Sequence, residues 1–97
     1  MSEAEYIAER IDAGSYLIPG HMVGAVKRYI INGIPPGSFL TAVLCNDLRE
    51  AYARADDENA ASMMGWVQFL YNYAPYGCWG SPEIYSDWLA RAQEQAA

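Results

Sequence analysis

The chain is poor in the residues that do most protein chemistry. It has one histidine, two cysteines and six basic residues. A general base needs a neighbouring group to activate or to orient it, and no serine or cysteine nucleophile motif lies beside His21. His21, Cys45 and Cys78 stand far apart, so they do not give the ligand spacing of a metal site. Asp56-Asp57-Glu58 lacks the alternating ligands and the glycine of a calcium loop. These shortages argue against an enzyme and against a bound metal or cofactor. Two cysteines are too few for a secreted disulfide scaffold. Reduced thiols in a cytoplasm are the expectation, with a Cys45–Cys78 bridge left open. No apolar run approaches the ~18 residues of a membrane-spanning helix. The start, Met1-Ser2-Glu3-Ala4-Glu5, is acidic and lacks the basic and apolar regions of a signal peptide.

Positive charge is also scarce. Twelve acidic residues against six basic ones give a net charge of −6. Generic binding to duplex DNA runs on lysine and arginine neutralising phosphates, so it is not expected. Competition for a partner's basic surface is compatible with this balance. So is a small anion in a local pocket.

Apolar residues, by contrast, are plentiful at 53%. Residues 1–97 are expected to fold as a single compact domain around one modest core. The surplus of apolar surface favours a partner or a homo-oligomer. Eight of the thirteen aromatics fall between Trp66 and Trp88: Trp66, Phe69, Tyr71, Tyr73, Tyr76, Trp79, Tyr85 and Trp88. Such a concentration builds either a core or a binding surface. Spacing alone is compatible with both.

The periodicity predicts an all-α domain of about five short helices. The first opens at a Ser2–Glu5 capping box, carries Ile7 and Ile11, and ends at Gly14. The second opens at Pro19, repeats Met22, Val26 and Ile30, and ends at Gly33. The third is capped by Ser38 and carries Leu40, Leu44, Leu48, Ala51 and Ala55 on one face. The fourth starts at Asp56-Asp57-Glu58 and runs to about Tyr73. It is apolar almost all round and is expected at the centre. The fifth opens at Ser81-Pro82-Glu83, with a polar tail fraying from about Ala90. Asn46 and Asn72 are expected to tie neighbouring loops through their amides.

The candidate binding residues are Lys27, Arg28, Gly37, Ser38, Tyr76 and Trp79. Lys27-Arg28 lies close in sequence to the Pro36-Gly37-Ser38 turn. If they also lie close in space, they form a basic corner with backbone N–H groups for an anion, although no Walker lysine follows. Turn plus helix cap is the plainer reading of Gly37-Ser38. Trp79, on the loop Tyr76-Gly77-Cys78-Trp79-Gly80, either stacks a base or anchors a partner. The preferred alternative is that it plugs the core between the last two helices.

Several segments form a recognisable combination. They are His21-Met22-Val23-Gly24, Gly33-Ile34-Pro35-Pro36-Gly37-Ser38-Phe39-Leu40, Asn46-Asp47-Leu48, Arg54-Ala55-Asp56-Asp57, Leu70-Tyr71-Asn72-Tyr73-Ala74-Pro75 and Cys78-Trp79-Gly80-Ser81-Pro82-Glu83. The pattern, over residues 18–89, resembles a family of small proteins encoded by tailed bacteriophages and prophages. The resemblance carries no catalytic motif. It implies a phage accessory protein in the cytoplasm of a bacterial host. By analogy, such a protein antagonises a host defence component by binding a protein stoichiometrically. The alternatives are an oligomeric sponge for a signalling nucleotide, and a small structural or regulatory phage protein.

Overall fold

A computed structural model describes residues 1–96. It is all-α, with seven helices rather than five: α1 Glu3–Gly14, α2 Val23–Asn32, α3 Ser38–Leu44, α4 Leu48–Arg54, α5 Asp57–Ala61, α6 Met63–Asn72 and α7 Pro82–Ala96. Two 3₁₀ turns, Ser15–Leu17 and Gly20–Met22, join α1 to α2. No strand occurs among the described residues.

Local capping chemistry places most of the helix ends. Ser2 Oγ accepts from the Glu5 backbone N–H at 3.1 Å and opens α1. Ser81 Oγ accepts from the Ile84 N–H at 3.1 Å and opens α7. Gly33 ends α2 in the left-handed region, at φ 67°, where a side chain is strained. Pro19 opens a 3₁₀ turn rather than α2 itself. At α3 the cap position belongs to Gly37, and Ser38 is the first helical residue instead of the cap.

Two expected long helices are each broken. The third splits at Cys45-Asn46-Asp47. Asn46 takes φ 60°, a left-handed conformation that asparagine tolerates better than most residues. The Asp47 N–H then donates to the Ala42 carbonyl at 2.9 Å. The Asp47 carboxylate caps α4 by accepting from the Glu50 N–H at 3.1 Å. The break rotates α4 relative to α3. Leu40, Leu44 and Ala51 stay buried, but Leu48 emerges 71% exposed.

The fourth expected helix splits at Ser62. The Ser62 N–H is shared between the carbonyls of Glu58 and Asn59. Asp56 caps α5 by accepting from the Asn59 N–H at 2.7 Å. That N–H, helped by His21 and opposed by desolvation, holds the Asp56 carboxyl below its ordinary value. His21 Nε2 lies 3.0 Å from Asp56, so the lone histidine joins the Gly20–Met22 turn to α5.

The core forms around α6. Trp66 and Phe69 are buried, and Trp66 meets Phe39 edge-on at 5.7 Å. The Trp66 indole N–H donates to the side-chain oxygen of the buried Asn59 at 3.0 Å. A buried indole needs such a partner. Contrary to expectation, α6 is not central on all sides, for Met64, Val67 and Tyr71 face out.

Neither expected amide tie occurs. Asn72 Nδ2 donates within its own helix to the Gln68 carbonyl. It is the Asn72 backbone carbonyl that bridges, accepting from Arg10 at 2.7 Å. The fifth helix does not fray at Ala90. Ala92 is buried, and Gln93 Nε2 donates to the Gly33 carbonyl at 2.9 Å. The Trp88 indole donates to the Ile30 carbonyl at 3.1 Å. These bonds dock α7 on α2.

Gly65 sets the approach of α6 to the Ser15–Leu17 turn. A Cβ there would run into the Leu17 backbone carbonyl. Gly65→Ala is expected to destabilise the fold by about 1–3 kcal/mol through overpacking. Gly20→Ala, with nothing within 4 Å of its Cβ position, should change stability by less than about 0.5 kcal/mol. Urea unfolding of both variants, read as a midpoint shift at constant slope, checks the pair.

Candidate functional site

The segment between α6 and α7 is irregular backbone, yet it is firmly tied. Tyr29 lies wholly buried in α2 and donates its hydroxyl to the Cys78 carbonyl at 2.9 Å. Burial raises the pKa of the Tyr29 phenol, so it remains a donor at ordinary pH. The Gly80 N–H donates to the Leu44 carbonyl at 2.9 Å. The Cys78 N–H closes back on the Pro75 carbonyl. Gly77 and Gly80 hold φ of 89° and 137°, which fold the loop tightly. Cys78 sits beneath it as a buried free thiol, whose pKa burial pushes up to about 12. Cys45 is also free.

This loop forms one wall of a cleft of about 550 Å³. Tyr76 stands at its rim, wholly exposed. Trp79 forms its inner side, half-buried against the core. The exposed Tyr71 comes from α6, Ile84 from α7, and Asn46 from the α3–α4 break. A smaller apolar notch shares Asn46, Leu70 and Trp79 with the cleft and adds Leu48 and Val67. The two form one surface. Five exposed large apolar side chains border it: Leu48, Val67, Tyr71, Tyr76 and Ile84. Scattered apolar residues on a surface mean little, but a contiguous patch marks an interaction site.

Trp79 differs from the other two tryptophans. The indoles of Trp66 and Trp88 donate to Asn59 and Ile30. The Trp79 indole has no hydrogen-bond partner among the described residues. No fully buried side-chain nitrogen or oxygen there lacks a partner, so this N–H is not sealed inside the core. Trp79 therefore both plugs the core and lines the cleft.

The other candidate residues lie elsewhere. Lys27 Nζ is 2.7 Å from Asp12 on α1. Arg28 is exposed on α2. Neither residue lines the cleft, and nor do Gly37 and Ser38. Tyr76 and Trp79 thus come together without the basic corner. Among the lining side chains the one charged group is Asp47. Burial raises the pKa of the neighbouring Cys45 thiol, and the Asp47 and Glu83 carboxylates raise it further. Both carboxylates therefore lie within electrostatic reach of Cys45, beside Asn46 of the cleft lining. Comparison of the chain with family models, with curated proteins and with solved structures gives no match.

Sequence reasoning singled out Tyr76 and Trp79 but not Leu48, Val67, Tyr71 or Ile84 as parts of this surface. The available signal was helical phase: Val67 and Tyr71 lie off the Trp66–Phe69–Leu70 stripe of α6.

If the Tyr29–Cys78 bond holds the loop, Tyr29→Phe leaves a buried carbonyl unpaired. The expected cost is about 1–3 kcal/mol. Amide exchange at Gly80 should quicken beyond the global change in stability. Unchanged exchange at Gly80 would show that the loop is held by other contacts.

Proposed function

We propose that this protein acts without catalysis, by stoichiometric binding of a protein partner on the surface around Trp79. The observation that supports this reading is the contiguity of Leu48, Val67, Tyr71, Tyr76 and Ile84 around a half-buried tryptophan. Aromatic anchors ringed by smaller apolar contacts are the usual make-up of a binding hot spot. In the phage setting that the sequence resemblance implies, the partner is a component of a bacterial host's defence, met in the cytoplasm.

A nucleotide sponge has weaker support. Lys27 is paired with Asp12, and no basic residue lines the aromatic cleft. An anion on that surface would meet Asp47 instead.

Tagged protein incubated with host lysate is expected to retain one partner in a stoichiometric complex. Tyr76→Ala and Tyr71→Ala alter exposed side chains and should leave the melting temperature within about 2 °C. Each should weaken retention by about tenfold or more, as loss of a hot-spot residue does. Retention unaffected by both substitutions would place the partner surface elsewhere.

A further inference from the structure

We infer that the Trp79 cleft takes an extended, proline-rich segment of the partner protein, one that carries lysine or arginine. The inference rests on the reading of this surface as a protein-binding site and names what it binds.

The first ground is the lining. Tyr71, Tyr76 and Trp79 line the cleft together with Pro75 and Ile84. Aromatic-walled grooves suit the flat, rigid rings of a polyproline II segment, which loses little entropy on docking. The second ground is hydrogen bonding. The Trp79 N–H is not sealed inside the core, and neither it nor the exposed Asn46 side chain makes an internal hydrogen bond among the described residues. Both offer donors beside an apolar floor. A helical ligand uses its own carbonyls within the helix. A polyproline II segment makes no internal hydrogen bonds, so its carbonyls are available to such donors. Its prolines bring no N–H that would demand acceptors.

The third ground is charge. Asp47 is the one charged lining group, and its Oδ1 is engaged in capping α4. Oδ2 makes no bond among the described residues. Glu83 adjoins Ile84 at the α7 end, and the whole molecule carries −6. A cationic residue on the ligand complements this end of the cleft. The fourth ground is rigidity. The ties from Tyr29 to Cys78 and from Gly80 to Leu44 form the cleft before any ligand arrives, which lowers the ordering cost of binding. A second copy of the chain also offers exposed Ile34 and Pro35. Two copies at −6 each repel, however, so a basic partner is favoured.

Calorimetric titration of the full chain with three synthetic peptides tests this. The first is proline-rich and flanked by lysines. The second is the same peptide with glutamates in place of the lysines. The third is an amphipathic helix of leucine, alanine and lysine. The lysine-flanked proline peptide should bind at least tenfold more tightly than either of the others. It should also shift the Trp79 indole N–H resonance. Tyr76→Ala should weaken its binding about tenfold. Asp47→Asn, which keeps a good helix cap, should weaken it severalfold and flatten its salt dependence. Tighter binding by the helical peptide overturns the inference but leaves a protein-binding surface in place. The same holds if no peptide binds while the chain still captures a partner that Tyr76→Ala releases. A homodimer that Tyr76→Ala dissociates would assign the cleft to a second copy and overturn the inference. Absence both of peptide binding and of any Tyr76-dependent partner removes the underlying reading as well.

Discussion

The hydroxyl of Tyr29 holds the cleft end of this molecule together. It is buried in α2 and reaches the Cys78 carbonyl 49 residues later in the chain. A buried phenol without a partner is costly, and so is a buried carbonyl. Pairing them removes both penalties and pins an irregular loop to the core. Tyr85 stacks on the Tyr29 ring at 5.4 Å, so α7 is fixed by the same residue. The Gly80–Leu44 bond adds α3. From these ties follow the positions of Tyr76 and Trp79, and hence the shape of the cleft.

The aromatic stretch divides its labour by position. Trp66 and Phe69 lie three apart on α6 and pack inward. Tyr71, two residues beyond Phe69, falls on the opposite side and is 80% exposed. Trp88 and Tyr85 turn towards α2. Trp79 lies between these groups, partly buried against the core, with an N–H that is not sealed inside it. The stretch is thus neither core nor interface as a whole. Its apolar residues build the core on one side of α6 and the cleft on the other.

What could be read from the sequence was local. The Ser2 and Ser81 caps and the Gly33 stop depend on neighbours within three or four residues, and those signals were legible. The helical class followed from periodicity. The breaks at Asn46 and Ser62 are not evident in the sequence: an i, i+4 stripe runs from Leu40 through Leu48 across the first, and the fourth helix reads as continuous from its acidic start at Asp56. Asn46-Asp47 did carry the chemistry of a stop followed by a start: a residue tolerant of positive φ, then a good N-cap. The apolar pattern outweighed it, and Leu48 was assigned to the core. The cleft was illegible for the same reason. With its notch it is assembled from residues scattered between Val43 and Ile84 on α3, α4, α6, α7 and the loops between them, whose relative phase is set by that break and by long-range bonds. The basic corner of Lys27 and Arg28 was inferred from sequence proximity to Gly37. Pairing of Lys27 with Asp12 draws that charge towards α1 instead.

The central claim is that Trp79 is a core residue with an outward-facing, unpaired donor at a preformed apolar cleft. Solvent exchange of the three indole N–H protons in the free protein, followed by NMR, tests it most directly. Trp66 and Trp88, hydrogen-bonded inside, should exchange slowly. Trp79 should exchange at least an order of magnitude faster while the backbone amide of Gly80 stays protected. A Trp79 indole as protected as that of Trp66 would contradict the account, for the residue would then be an internal plug with nothing to offer a ligand.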